Sequence, residues 1–442
     1  MKKIKVLVAV LVAMTVSSVF APLASAQEKV QVTFWHAMNG PHQEMIATLV
    51  EEFNASQDTV EVVEQNQGDY STLQQSVMAS AASGDLPTMT QLTSSNTPDY
   101  ESQGLLLALD GLMTDDNGWT QELKDGIFPG FIDGVTYNGE MFAIPFSKSV
   151  RLMYVNETLL AEVGAEVPTT WQEVLDLGVA LDEAGIDTPA MGLENSISME
   201  LETMARQNGA TWIAPDLSAV EIASETATEP VQFIYDLIAA GHARTAGEDG
   251  FMSGPFSSGE SALYIGSSAG LSYVLPGVEE SGITLGTAEL PVFGEGEPLT
   301  LFAGNDLGIF SSATEEEQAA AAQFMAFLLE AENIARWATV TGYLPVTVQG
   351  TESDTWTNFL EENPLVVPSS IELAYGMSQP GYVGASEVFS EIEMAIERIL
   401  LTDSDITMEY QVIEELLKGH IGVEYSTLNA TINKMTRTSL LR

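Results

Sequence analysis

The stretch "VQVTFWHAMNG", residues 30–40, decides the fold class. Its first half alternates apolar and polar residues and then runs apolar, the pattern of a β-strand. Asn39-Gly40-Pro41 closes it as a turn, with the proline suited to the first turn of a helix. Met45, Ile46, Leu49 and Phe53 then recur at helical spacing. Alternation returns in "VEVVEQ", residues 60–65. A second helix reads over "YSTLQQSVMASAAS", residues 70–83, and stops at Gly84. "DLPTMTQLT", residues 85–93, leads into a third strand. This β-α-β-α-β order predicts a parallel sheet with helices on both faces.

Downstream the same logic predicts a second α/β unit. "MFAIPFS" (141–147) and "VRLMYVN" (150–156) are strands. "TTWQEVLDLGVALDEAG" (169–185) places a threonine cap before an amphipathic helix. "VQFIYDLIAAG" (231–241) is another helix, and "SALYIGSSAG" (261–270) and "ITLGTAELPVF" (283–293) follow it. "LFAGNDLGIF" (301–310) is an apolar run broken by Gly-Asn-Asp. "EEEQAAAAQFMAFLLE" (315–330) carries acids where a helix dipole favours them. Helices over 332–342 and through the tail, 386–401 and 408–420, complete the pattern. No long linker separates the units, which predicts two α/β lobes crossed several times by the chain.

The chain has 442 residues, 45% of them hydrophobic, enough for a two-lobed protein with a large core. Lys2, Lys3 and Lys5, the apolar run 6–20 and Ala24-Ser25-Ala26 form an export leader over 1–26 with a cleavage site. No later apolar run reaches the ~20 residues needed to span a bilayer. Cysteine is absent, so disulfides are excluded, and no cysteine follows the leader to carry a lipid anchor. A free periplasmic protein is expected. Acidic residues number 63 against 15 basic ones, a net charge of −48. Nucleic acid and anionic membranes would be repelled. The excess is read as a solvated acidic shell, with an acidic binding surface as the alternative.

The chemistry-bearing residues are few. His36 and His42 lie six apart across a turn near Glu44, a spacing that does not set two metal ligands on one helix face. With four histidines and no cysteine, no zinc site is expected. "TDDNG" (114–118) is too short for a calcium loop. Neither a Walker loop nor G-x-G-x-x-G after the first strand is present, and no cofactor is expected. Gly266-Ser267-Ser268-Ala269-Gly270 matches the G-x-S-x-G of serine hydrolases. Ser268 would then need a downstream histidine, and only His420 is available. The other reading is a turn whose hydroxyls hold a ligand. Trp35-His36, Asp69-Tyr70, Tyr343 and Tyr382 set aromatic faces beside polar groups at predicted strand ends and turns. That pairing suits sugars, and such loops form the ligand crevice of α/β sheets.

Several segments then carry a resemblance, in order: "VTFWHAMNG", "EEFNAS", "GDYSTLQQSVMASAASGDLPTM", "AIPFSKSVRLMYVNETLL", "VPTTWQEVLDLGVAL", "GESALYIGSSAG", "TGYLPVT" and "QPGYVGASEVFSEIEMAIE". Together they resemble the family 1 extracellular solute-binding proteins of ABC importers, and most of all the glycerol-3-phosphate-binding branch. The resemblance implies a two-lobed periplasmic binding protein of type II, not an enzyme. Lobe 1 would comprise 27–148 and 305–348, and lobe 2 would comprise 149–304 and 349–442. The protein, a monomer, would hand glycerol-3-phosphate, a glycerophosphodiester or a sugar to a membrane permease, with a neutral mono- or oligosaccharide as the alternative. Carried over by position, the contacts would be Trp35, His36, Tyr70, Ser94, Ser149, Ser267, Ser268, Gly304, Tyr343 and Tyr382. Ser94 stands where some members have a carboxylate. Tyr382 falls near an arginine that grips phosphate in well-known members. Lys148 and Arg151 flank the predicted hinge. They would either meet a phosphate or pair with the abundant carboxylates.

Overall fold

The computed structural model describes residues 29–402 and 404–422, so the expected leader lies outside the described residues. In chain order the strands of the two main sheets are β1 Val30–His36, β2 Val60–Asn66, β3 Met89–Leu92, β4 Ile144–Ser149 and β5 Arg151–Asn156. There follow β6 Met191–Leu193, β7 Ala243–Thr245, β8 Leu263–Ser267, β9 Leu285–Ala288 and β10 Ala303–Ile309. The principal helices begin with α1 Gly40–Ser56, α2 Tyr70–Ser83, α3 Thr97–Ser102, α4 Trp171–Ala184, α5 Ser198–Gln207 and α6 Glu225–Ala239. The remainder are α7 Leu271–Ser281, α8 Glu315–Leu329, α9 Ala331–Thr341, α10 Ala385–Thr402 and α11 Ile406–Ile421.

The local chemistry explains these limits. Asp69 caps α2 by accepting from the Thr72 N–H, and Gly84 ends the helix in the left-handed conformation at φ 76°. Thr170 with Glu173, and Thr314 with Glu317, form capping boxes on α4 and α8. Helix α5 is absent from the sequence reading for a physical reason. It buries Glu200 and Glu202 beside Leu201, Met204 and Ala205, so charged residues interrupt the apolar pattern of its buried faces.

Two five-stranded sheets result, ordered β2-β1-β3-β10-β4 and β9-β5-β8-β6-β7. The expected parallel pairing is present between β1, β2 and β3. Beyond that parallel unit the sheet takes in β10, which runs antiparallel to both β3 and β4. In the second sheet β5 is the reversed strand, antiparallel to β8 and β9. Both exceptions have one cause. Each reversed strand enters its sheet directly from the other sheet's side, so it runs opposite to strands reached through helical crossovers.

Only Val150, fully buried, separates β4 in one sheet from β5 in the other. One apolar core packs α1, α8 and α9 on the first sheet and extends to Tyr154, Phe256 and Tyr264 at the crossing. A second packs α4, α5, α6, α10 and α11 on the second sheet. The turn after β3, with Ser94 and Ser95, and helix α5 after β6 line one gap between the lobes, the place where α/β sheets take ligands.

Candidate functional site

At the crossing, polar groups are buried and joined to one another. Lys148 Nζ lies 2.5 Å from Asp306 Oδ1, with both residues almost wholly buried. Burial raises the Asp306 pKa, and the ammonium opposes that rise. Gly304 sits at φ +98°, and a Cβ there would lie 1.8 Å from the Ser147 carbonyl oxygen. Only glycine lets β10 pass so close to β4 beside the bulge at Asn305/Asp306. Ser149 is buried within β4.

Ser268 belongs to the same crossing. Its hydroxyl donates to the Gly342 carbonyl at 3.3 Å and accepts from the Val150 N–H at 3.4 Å. Its own N–H donates to the Val150 carbonyl at 2.9 Å. Ser267 Oγ accepts from the Ala269 N–H, and the Ser267 carbonyl accepts from Tyr154 Oη at 2.6 Å. The G-x-S-x-G turn thus staples three chain segments. His420, its one downstream histidine, lies against Glu387 and Gly384 instead.

Arg151 starts β5 and places Nε 2.5 Å from Glu200 Oε1 on α5. Nearby, Glu194 accepts from the Tyr264 hydroxyl and from the Met252 N–H. Burial pushes the Glu372 carboxyl up to about 8, although it accepts from the Leu290 N–H at 3.0 Å. Both cations that flank the hinge are therefore spent on buried carboxylates, the second of the two roles the sequence allowed them.

His36 is fully buried at the end of β1. Its Nδ1 accepts from the Met38 N–H, so Nε2 carries the proton and donates to Glu64 at 2.7 Å. Burial lowers its pKa against the pull of Glu64. Trp35 donates from Nε1 to Gln65 Oε1 and is half-buried. Tyr70 opens α2 with a half-exposed ring, and its hydroxyl accepts from Asn305 Nδ2 at 2.8 Å and meets the Tyr343 hydroxyl. Tyr343 also stacks on Trp337, with the planes 8° apart.

A small cleft opens between the lobes. Ser94 and Ser95, in the turn after β3, form one wall. Ser198 and Glu202 of α5, with Trp212 and Ile213 after it, form the floor. Gln379, Tyr382 and Phe389 form the opposite wall. Among the described residues that line it, none is basic. The lobes also meet beside it. The Gly384 N–H donates to Asp99 Oδ1 at 2.7 Å, and Ser386 Oγ donates to the Ser95 carbonyl at 3.0 Å.

Trp212 has φ +59°. A bulky residue in that region is strained by about 1–3 kcal/mol and needs the surroundings to hold it. Arg206 donates from Nη1 to the Thr211 carbonyl at 2.8 Å and from Nη2 to the Ile213 carbonyl at 3.1 Å. Its Nε and Nη2 both reach Glu202 Oε1, and Glu202 Oε2 accepts from Gln379 Nε2 at 2.5 Å.

Of the residues singled out in the sequence, the structure brings Ser94 and Tyr382 together in this cleft, and Tyr70 with Tyr343 beside the hinge. His36, Ser149, Arg151, Ser267, Ser268 and Gly304 are tied into the protein itself. Glu202, Trp212 and Gln379 were not singled out. Gln379 sits inside the quoted "QPGYVG", and Trp212 stands just before the Pro215-Asp216 turn signal, so both had a local cue.

The sequence pattern of a family described as bacterial extracellular solute-binding protein matches residues 48–363. The sn-glycerol-3-phosphate-binding periplasmic protein UgpB of Rhizobium meliloti (strain 1021) is 27% identical over 371 residues, 80% of this chain and 84% of that protein. UgpB from Mycobacterium tuberculosis, solved in complex with glycerophosphocholine, superposes with a TM-score of 0.80 at 22% identity, over 90% of this chain and 100% of that one. The cyclic alpha-maltosyl-1,6-maltose binding protein from Arthrobacter globiformis superposes with a TM-score of 0.75 at 25% identity, over 89% of this chain and 99% of that one. The fold is thus that of two-lobed type II periplasmic binding proteins.

Proposed function

The chain belongs to the bacterial extracellular solute-binding protein family, and from that premise we propose that it captures a neutral carbohydrate between its lobes and delivers it to an ABC permease. It binds its solute and performs no covalent chemistry. The observation that carries the ligand class is the lining of the cleft, where hydroxyls, an amide and aromatic faces converge without a basic side chain. A buried phosphate needs a cation or a helix N-terminus, and of these the cleft lining holds only the first residues of α5 and α10, Ser198 and Ala385. The three nearby cations each pair with a carboxylate, Lys148 with Asp306, Arg151 through Nε with Glu200 and Arg206 with Glu202, although Arg151 Nη2 is buried without a hydrogen-bond partner. A sugar needs only the groups present, stacking an apolar face on an aromatic ring while serines and Gln379 meet its hydroxyls.

Lobe 1 is assigned to 27–148 and 305–348 and lobe 2 to 149–304 and 349–442, with the hinge at the crossing around Val150. Ser94 and Tyr382 would contact solute directly, and Tyr70 and Tyr343 would line the hinge side. Binding would favour the closed state of an open–closed equilibrium, and the closed form is what a permease would engage. The leader at 1–26 would carry the protein to the periplasm as a free monomer. A second reading, sn-glycerol-3-phosphate or a glycerophosphodiester made from it, is supported by the 27% identity to a relative named for binding sn-glycerol-3-phosphate.

A thermal-shift screen tests the choice. Maltose, maltotriose, trehalose, glycerophosphocholine and sn-glycerol-3-phosphate are added in turn, and the melting temperature is read. A rise with a neutral sugar and none with sn-glycerol-3-phosphate is expected. A rise confined to the phosphates overturns the carbohydrate assignment.

A further inference from the structure

We propose that Arg206 is a positioning residue for the solute cleft, acting through Trp212 without touching the ligand. The inference rests on the cleft being the binding site, as argued above. Four donated hydrogen bonds fix the guanidinium, two to Glu202 and one each to the carbonyls of Thr211 and Ile213. The two carbonyls bracket Trp212. A planar fork is the side chain that grips them together while pairing with a carboxylate. The bracketed residue is one whose backbone needs holding, a buried tryptophan at φ +59°. The Trp212 carbonyl in turn accepts from the Glu221 N–H at 2.9 Å, and its ring lies edge-on to Tyr410 with centroids 6.1 Å apart.

The same fork reaches the far wall. Glu202 receives Arg206 on one oxygen and Gln379 on the other. Floor and wall are therefore one rigid unit running Trp212–Arg206–Glu202–Gln379, with Tyr382 three residues further on. Lysine at 206 keeps the charge and the pairing with Glu202. A single ammonium cannot span that carboxylate and both carbonyls in the same geometry.

The test labels the protein with 5-fluorotryptophan, giving six fluorine resonances for six tryptophans. Trp212→Phe assigns the resonance of interest. In Arg206→Lys, the Trp212 signal is expected to shift or split while the other five keep their positions, which also shows that the fold is intact. An unmoved Trp212 signal overturns the proposal without any ligand being needed. Affinity for maltose, maltotriose, trehalose, glycerophosphocholine and sn-glycerol-3-phosphate is then measured in four proteins: wild type, Arg206→Lys, Trp212→Ala and the double variant. For a solute that binds, Arg206→Lys is expected to weaken affinity about tenfold or more, and to add nothing in the Trp212→Ala background. Additive losses overturn the proposal, because Arg206 would then act by another route. If no solute binds, the ligand reading above fails by itself and the fluorine result still decides this one.

Discussion

The hinge crossing and the cleft use similar residues to opposite ends. At the crossing, Lys148 faces Asp306, Ser268 joins Val150 to Gly342, and Gly304 lets two strands touch. These contacts tie separate parts of the chain together, while Ser147 Oγ and Arg151 Nη2 beside them are buried without a hydrogen-bond partner. In the cleft, serines, Gln379 and Tyr382 line an open volume, and the charged residues beneath them are neutralised as a pair. The crossing holds the lobes in register, while the cleft leaves polar edges for a solute. Changes at the crossing should therefore cost stability, and changes in the cleft should cost affinity.

The largest expected effect is Asp306→Ala. It leaves the Lys148 ammonium buried without its partner, which destabilises by about 3–5 kcal/mol. Urea unfolding measures this, and a loss below about 1 kcal/mol would mean that the pair does not secure the crossing.

Glu372 gives a pH test. Its carboxyl is raised from an ordinary 4.5 to about 8, first by burial. The folded state thus holds its proton where the unfolded chain has lost it. Its favourable contribution is complete below about pH 4.5 and is lost as pH rises through 8. Glu372→Gln should raise the melting temperature at pH 8, by the equivalent of up to about 4 kcal/mol, and change it little at pH 5. Equal shifts at both values would contradict a raised pKa.

Next is Tyr382→Ala, which removes an aromatic face from the cleft wall. Calorimetry should show affinity for the bound solute falling about 10- to 100-fold, near 1.4–2.8 kcal/mol, with unfolding unchanged within about 1 kcal/mol. Ser268→Ala should cost about 1 kcal/mol, the worth of ordinary hydrogen bonds to the Val150 N–H and the Gly342 carbonyl. Ester hydrolysis by this variant and by wild type should both sit at background. Smallest is Arg336→Ala, which breaks a partly exposed pair with Glu52 and should cost less than about 1 kcal/mol. A larger loss would show that surface pairs matter here as much as buried ones.

Much of the architecture was legible in the sequence because its signals are local. Asp69 and Gly84 bound α2, and the Thr170 and Thr314 boxes start α4 and α8, where the sequence places them. The reversed direction of β10 was not legible, since it depends on which sheet the chain has just left. Helix α5 escaped because Glu200 and Glu202 are buried, Glu200 meeting the sequence-distant Arg151 and Glu202 meeting Arg206 four residues on, which a reading of apolar periodicity does not anticipate. For the candidate site, aromatic-plus-polar pairs singled out Tyr382, which lines the cleft, and Tyr70 and Tyr343, which meet each other. They could not tell an open serine such as Ser94 from a buried staple such as Ser268. That distinction lies in tertiary contacts that no short motif encodes.

The central claim is that the cleft takes an uncharged solute. Calorimetric titration at about 0.02 M and 0.5 M salt tests it most directly, because only a charged ligand's affinity depends strongly on screening. The account predicts binding of a neutral sugar with the same affinity at both salt concentrations. Binding of sn-glycerol-3-phosphate alone, weakening as salt is added, would contradict it.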